Sequence, residues 1–294
     1  MIKKLGVYTG LCLLTLPILS FASLSAPATD SDIAQSGFFL GLGGSYNSVN
    51  VSQSMNGTGI SNIYSGSTLV AYGDAIGPMA PYNDTQSTFA PEAQIGYFSH
   101  FNDSDYMWGV KYFYQYLGAT STSGNIDAPQ TGTFTEVGSP SSTFTGNADA
   151  ESTQLKTTNE MALMPFIGHS FKHSFVYLGA GPALFETQTK LNDLHCFADI
   201  NGSHSDIGGA PINFSNDQWV WGGAAQIGLT YFLDPTWFVD FNYTYARSVD
   251  YDTNDSAAFA STFSGYNNSG TVDIVASQHT TVQTFAISIN KVFA

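Results

Sequence analysis

The sequence predicts an all-β fold: a closed antiparallel up-and-down transmembrane β-barrel, of eight strands with long outer loops. Three observations predict it. Eight stretches between Phe38 and Phe293 alternate apolar and polar residues, which puts one set of side chains on each face of a strand. Short and long polar segments separate these stretches in strict turn. Charged residues make up 11% of the chain and aromatic ones 14%. That is about half the charge of a soluble domain, and a surface wetted partly by hydrocarbon does not need more.

The first 22 residues read as a secretory leader. Lys3 and Lys4 precede the apolar run Leu5 to Leu19, and Ser20-Phe21-Ala22 supplies small residues at the two positions that matter before a cut. A cut after Ala22 is expected; one after Ala26 would place Leu24 where a small residue is preferred. The expected organisation is a cleaved signal peptide over 1–22, a small polar lead-in over 23–37 and a barrel over 38–294. Beyond the leader no run reaches about 18 consecutive apolar residues, so no helical span is expected. Without Lys3 and Lys4 there are 6 basic residues against 23 acidic ones, which argues against nucleic acid as a partner. Cys196 is the one cysteine outside the leader, so no internal disulfide is available.

The strands follow in order. The first is expected at Phe38–Val49, with Phe38, Leu40, Leu42 and Tyr46 on one face and Gly41, Gly43, Ser45 and Asn47 on the other. After a long Ser/Asn/Gly segment comes Thr88–His100, where Phe89, Ala93, Ile95 and Tyr97 alternate with Glu92, Gln94 and Gly96. The turn Asn102-Asp103-Ser104 leads to Tyr106–Gly118, with Tyr106, Trp108, Val110, Tyr112, Tyr114 and Tyr116 on one face. A fourth strand at Thr157–Phe171 turns at Lys172-His173-Ser174 into a fifth at Phe175–Thr187. The sixth, Gln218–Leu233, carries Trp219, Trp221, Ile227, Leu229, Tyr231 and Leu233 on one face. Asp234-Pro235-Thr236 turns into the seventh, where Trp237, Val239, Phe241, Tyr243 and Tyr245 alternate with Asp240, Asn242 and Thr244. The eighth is Thr280–Phe293. Alternation inside the long segments, as in Thr131-Thr133-Thr135, leaves ten or more strands as the alternative. Pro91, Pro165 and Pro182 fall inside strands of a sheet without edges, and bulges are the expected remedy.

Parity then sorts the chemistry. Inward positions hold Glu92, Gln94, Lys111, Gln115, Glu160, Gln226, Asp240 and Asn242. An eight-stranded barrel is filled by its own side chains, so these residues are expected to form a polar network. A two-residue turn would set Lys111 opposite Glu92 or Gln94, giving a Lys111–Glu92 pair that neutralises two confined charges. Outward positions hold Tyr106, Trp108, Tyr112, Tyr114, Trp219, Trp221, Tyr231, Trp237, Tyr243 and Tyr245 as lipid and interface anchors. Lys291 is placed to snorkel at one rim. Arg247 is placed at the other to meet a lipopolysaccharide phosphate or, equally, the neighbouring Asp250.

The sites for cofactors, metals and catalysis are poor. Asp250-Tyr251-Asp252-Thr253-Asn254-Asp255 begins like a calcium loop, but lacks the glycine at its sixth position and the bidentate glutamate, where Ser261 stands. His195, Cys196, Asp199 and His204 match no standard metal spacing. His169-Ser170 and His173-Ser174 offer nucleophile and base types only at expected turns. No cofactor, no metal and no enzymatic activity are therefore expected.

The chain resembles the small outer-membrane β-barrels of the opacity-protein and OmpA-barrel type, within the porin superfamily. The resemblance rests on the leader, on Phe38-Phe39-Leu40-Gly41-Leu42-Gly43-Gly44-Ser45-Tyr46, on Tyr177-Leu178-Gly179-Ala180-Gly181-Pro182 and on the closing alternation Phe285-Ile287-Ile289-Lys291-Phe293. It implies a location in the outer membrane, contact with its lipid and lipopolysaccharide, and an internal ion pair that plugs or gates the barrel. It also implies insertion by the barrel-insertion machinery through Phe285, Ile287, Ile289 and Phe293, although Ala294 follows the aromatic residue on which such chains usually end. The expected function is non-enzymatic display of long loops, which hold 14 of the 23 acidic residues, for envelope integrity or adhesion to host or surface ligands. A small passive porin is the alternative, and a lipid-A-modifying enzyme the second.

Overall fold

The computed structural model describes residues 36–102, 104–200 and 203–293, excluding the side chains of 200, 203 and 263. The expected leader over 1–22, the lead-in as far as residue 35, and Ala294 lie outside the described residues.

The described chain forms β1 (Ser36–Ser65), β2 (Thr68–Pro78), β3 (Tyr82–His100), β4 (Tyr106–Thr122), β5 (Ile126–Glu136) and β6 (Ser142–Ser170). It continues with β7 (Ser174–Ile200), β8 (Ser203–Asp206), β9 (Ile212–Asp234), β10 (Trp237–Ser248), β11 (Tyr251–Phe263) and β12 (Tyr266–Phe293). Eight of these close a ring in the order β1-β3-β4-β6-β7-β9-β10-β12, and β12 returns to β1. The closing ladder runs without a register shift from Phe38↔Phe293 to Tyr64↔Asn267. The fold is therefore the all-β, eight-stranded antiparallel barrel that the alternation predicts.

The expected loops are not loops. β1, β6, β7 and β12 run far past the ring and pair with β2, β5, β8 and β11, so the long segments are β-hairpins standing on the barrel. Their Ser, Asn and Thr content hides the strands, because both faces are weakly apolar and the period-2 contrast fades. The β11–β12 hairpin turns on Ser264 and Gly265, both at positive φ, as a two-residue turn between twisted strands requires. The short turns that join ring strands, after β3, β6 and β9, and the first described residue of β1 lie at one end, the turn end; the hairpins rise from the other.

The prolines need no bulge. Pro91 sits where the β3–β4 ladder stops, one residue before Glu92↔Gln115. Pro165 and Pro182 fall in a common gap of the β6–β7 ladder, between Ala162↔Ala183 and Phe166↔Gly179, with the register unchanged across it. Each missing N–H thus faces a place where no ladder bond is made. A register shift does occur in β4 between Tyr116 and Ala119, where Gly118 takes a positive φ of 58°.

Candidate functional site

The lumen is filled in layers. At the turn end Phe39, Phe98, Phe175, Phe232 and Phe238 close it, with Met107 and Phe166 among them. Their rings meet at centroid distances of 5.3 Å (Phe232–Phe238), 5.4 Å (Phe39–Phe238) and 5.9 Å (Phe98–Phe175). These phenylalanines occupy inward positions that were expected to be small or polar. The signal for them was parity: Phe39 alternates with the outward Phe38 and Leu40. Glycines on the inner wall make room for rings, and a Cβ on Gly109 would stand 2.2 Å from the Phe166 ring.

Above this plug lies the polar layer, and its central pair corrects the sequence reading. Lys111 pairs with Asp240, not Glu92: Nζ lies 3.1 Å from Asp240 Oδ2, and both side chains are 3% exposed. The β3–β4 connection is longer than a two-residue turn, so Lys111 stands opposite Gly96, and Glu92 opposite Gln115. Lys111 then reaches across the lumen to β10. Its Nζ also donates to Tyr177 Oη at 2.7 Å and sits 4.7 Å from the centre of that ring. Tyr177 Oη in turn donates to Asp240 at 3.0 Å. Thr230 Oγ1 and Asn242 Nδ2 donate to the same carboxylate at 3.1 Å each, so Asp240 is held from four side chains.

The other expected interior residues take separate places. Gln115 Nε2 donates to Glu160 Oε2 at 2.9 Å, and its Oε1 accepts from Ser45 Oγ at 2.9 Å. Gln94 Nε2 bridges Ser288 and Asn290 at 2.7 and 2.6 Å. Gln226 Nε2 donates to Asn242 Oδ1 at 2.9 Å and to Thr244 Oγ1 at 2.7 Å. Glu92 is buried on the same wall. Phe113, Met164 and Phe185 pack among these polar residues, Met164 opposite Lys111 and Phe185 opposite Glu160, and a belt of Gln53, Thr153, Thr189 and Gln278 lies further toward the hairpins. Tyr177 is the member that sequence reasoning missed; its inward parity opposite Gly228 was the available signal.

These strands carry an apolar outer face around a filled, partly charged lumen. The family model described as the outer membrane protein β-barrel domain matches residues 14–273. The chain belongs to that family. A search of curated proteins finds no match. Among solved structures, this outer-membrane barrel is similar to OprG from Pseudomonas aeruginosa, at 14% identity over 87% of this chain and 99% of that one, with a TM-score of 0.30. It is similar to Ail, the attachment invasion locus protein of Yersinia pestis, at 13% identity over 81% and 98% of the chains, with a TM-score of 0.26. Neisserial surface protein A is similar at 13% identity over 78% and 95%, with a TM-score of 0.23.

On the outer face of this outer-membrane barrel, Tyr106, Trp108, Tyr112, Tyr114, Trp219, Trp221, Tyr231, Trp237 and Tyr245 are exposed. Tyr243 is half-buried: its hydroxyl donates to Gln283 and its ring packs on Phe285 at 4.8 Å. Phe285, Ile287, Ile289 and Phe293 are exposed in one row of β12. Lys291 Nζ donates to Thr236 Oγ1 at 2.8 Å and lies 4.9 Å over the Trp237 ring. Arg247 Nη2 lies 3.3 Å from Asp250 Oδ1, so the ion pair with its neighbour forms.

At the hairpin end the wall separates the residues of the weak metal pattern. His204 Nδ1 lies 2.8 Å from Asp199 Oδ1, and Phe197 stacks against His204 at 4.9 Å. Cys196 faces the apolar mouth instead. Burial, reinforced by Asp206 and Asp149, pushes its thiol up to about 11. The calcium-like run lies mostly in β11, where successive side chains point to opposite faces. Ser170 Oγ donates to the Asp105 carbonyl at 2.9 Å while the adjacent His169 packs on Tyr106 and Phe171, so the two do not form a nucleophile–base pair.

Proposed function

We propose that the protein is a non-enzymatic outer-membrane barrel that displays acidic, strand-stiffened hairpins for envelope integrity or attachment to host or surface ligands. One observation carries this reading: the lumen is filled by the phenylalanine plug and by the layers above it. A filled barrel leaves its projecting hairpins as the surface free for function. On this reading the hairpins face outward, the turns face the periplasm, and residues 1–22 are removed on export. The outward Tyr and Trp rings sit at the lipid interfaces, Lys291 at the periplasmic headgroups and Arg247 beside lipopolysaccharide. Phe285, Ile287, Ile289 and Phe293 engage the insertion machinery.

The test compares cells carrying the intact gene with cells in which the β5–β6 and β11–β12 hairpins are cut back to short turns. Attachment to host cells and glycan-coated surfaces, or resistance to bile salt and detergent, is expected to fall while the amount of inserted barrel stays unchanged. Unaltered attachment and barrier function would overturn the reading. Steady single-channel conductance from the intact protein would favour the passive porin, and altered lipid A after deletion would favour the enzyme.

A further inference from the structure

We propose that the hairpin end binds a cationic single-chain amphiphile, its alkyl end in an apolar cavity and its head in an adjoining acidic cleft. The inner wall of the hairpins is apolar. Met79, Leu194, Cys196, Phe259, Val272 and Ile274 line a cavity of about 90 Å³. Phe134 and Phe144 are walls both of this cavity and of a second, polar cleft of about 260 Å³. Glu136 and Asp199 supply carboxylates to that cleft, Ser139 and Ser142 supply hydroxyls, and no Lys or Arg lines it. Asp199 also faces His204, and a bound cation would share that carboxylate with the imidazole.

Three arguments select the ligand. The surface of the cavity is mostly apolar, although Asp74, Gln130, Asn147 and Asn268 stand among its lining residues, so covering it with hydrocarbon is favourable. Its size is below the roughly 150 Å³ that admits benzene, which fits the end of an alkyl chain better than a ring. The flanking carboxylates favour a positive head and repel phosphate or sulfate. Beneath the cavity the belt of Gln53, Gln278, Thr189 and Thr153 is joined by hydrogen bonds of 2.8–3.4 Å. The site is therefore a pocket with a floor and not the entrance to a channel. It stands independently of whether the hairpins also grip a surface.

The experiment uses the full-length protein in phosphatidylcholine nanodiscs with n-hexyltrimethylammonium, n-hexyl sulfate and tetramethylammonium as probes. Binding is read by protection of the cavity-lining Cys196 against N-ethylmaleimide and by NMR broadening of the hexyl methyl signal. Hexyltrimethylammonium is expected to protect saturably, at one molecule per barrel. The sulfate and the tailless cation should each bind about tenfold or more weakly, the loss of one of the two halves of the site. Gly59→Leu should abolish tail binding. A Cβ there meets nothing closer than 3.7 Å, so the side chain enters free space. The surface pair Glu136→Gln and Asp199→Asn keeps the fold and should erase the preference for cation over sulfate while sparing the tail. No protection by any probe, equal binding of cation and sulfate to the wild type, or undiminished binding to a folded Gly59→Leu barrel would each overturn the proposal.

Discussion

Lys111 on β4 and Asp240 on β10 meet across the lumen at 3.1 Å, with the Tyr177 hydroxyl bonded to both. Two charges withdrawn from water are tolerable only when each satisfies the other and the remaining lone pairs are filled. Asp240 meets that condition through Thr230 and Asn242.

Removing one partner should therefore be worse than removing both. Asp240→Asn or Lys111→Met alone is expected to destabilise the barrel by about 3–5 kcal/mol, the range for an orphaned buried charge. The Lys111→Met, Asp240→Asn double variant should recover much of the loss. Urea unfolding in lipid vesicles, followed by heat-modifiable gel mobility, reads the cycle, and strictly additive losses would refute coupling.

Gly228→Ala tests the seat of Tyr177. A Cβ at 228 would stand 2.2–2.4 Å from that ring. The overpacking is expected to cost about 1–3 kcal/mol. Tyr177→Phe, which keeps the ring and removes the hydroxyl, should instead lower stability only through the lost hydrogen bonds. The two effects separate in the same unfolding assay.

The phenylalanine plug should silence conductance. Phe98 is fully buried and packs on Phe175, Phe232 and Phe238. In planar bilayers the wild type is expected to show no steady openings. Phe98→Ala should destabilise by about 3–5 kcal/mol and introduce brief openings, whereas Phe38→Ala on the outer face should introduce none.

Cys196 should react with a displaced pH profile. Its thiol is raised to about 11, chiefly by burial. Maleimide-independent alkylation by iodoacetamide should still be climbing at pH 10, where an ordinary cysteine with a pKa of about 8.5 has levelled off. The folded state holds this proton more tightly than the unfolded one. Its contribution to stability is thus complete below about pH 8.5 and lost as pH rises toward 11. Alkaline melts of Cys196→Ala should lack that component of the decline.

Side assignments can be checked in β4. Cysteines at Tyr112 and Tyr114 should be shielded by lipid from a charged thiol reagent in intact membranes. Those at Lys111 and Phe113 point into the lumen, and a lipid-soluble reagent should leave them unmodified. Loss of this alternation would undo the inward and outward roles together.

Much of this was legible residue by residue. Phe38, Leu40 and Leu42 against Gly41, Ser45 and Asn47 announce a strand with one greasy face, and the same contrast repeats around the ring. In the hairpins it fails: the stretch Thr58 to Tyr64 has no consistently apolar face, so the expected strand Phe38–Val49 covers less than half of the 30-residue β1. The short turns were located correctly. The length of the β3–β4 connection is not fixed by its composition, and it sets Lys111 opposite Gly96 and not Glu92.

The sequence by itself determined which side of each ring strand meets hydrocarbon, because a side chain's face depends only on its parity along its own strand. Partners across the lumen were decided by the tertiary structure alone. Closure and register bring Lys111 on β4 to Asp240 on β10, Gln94 on β3 to Asn290 on β12 and Ser45 on β1 to Gln115 on β4, and those distances depend on every strand between them.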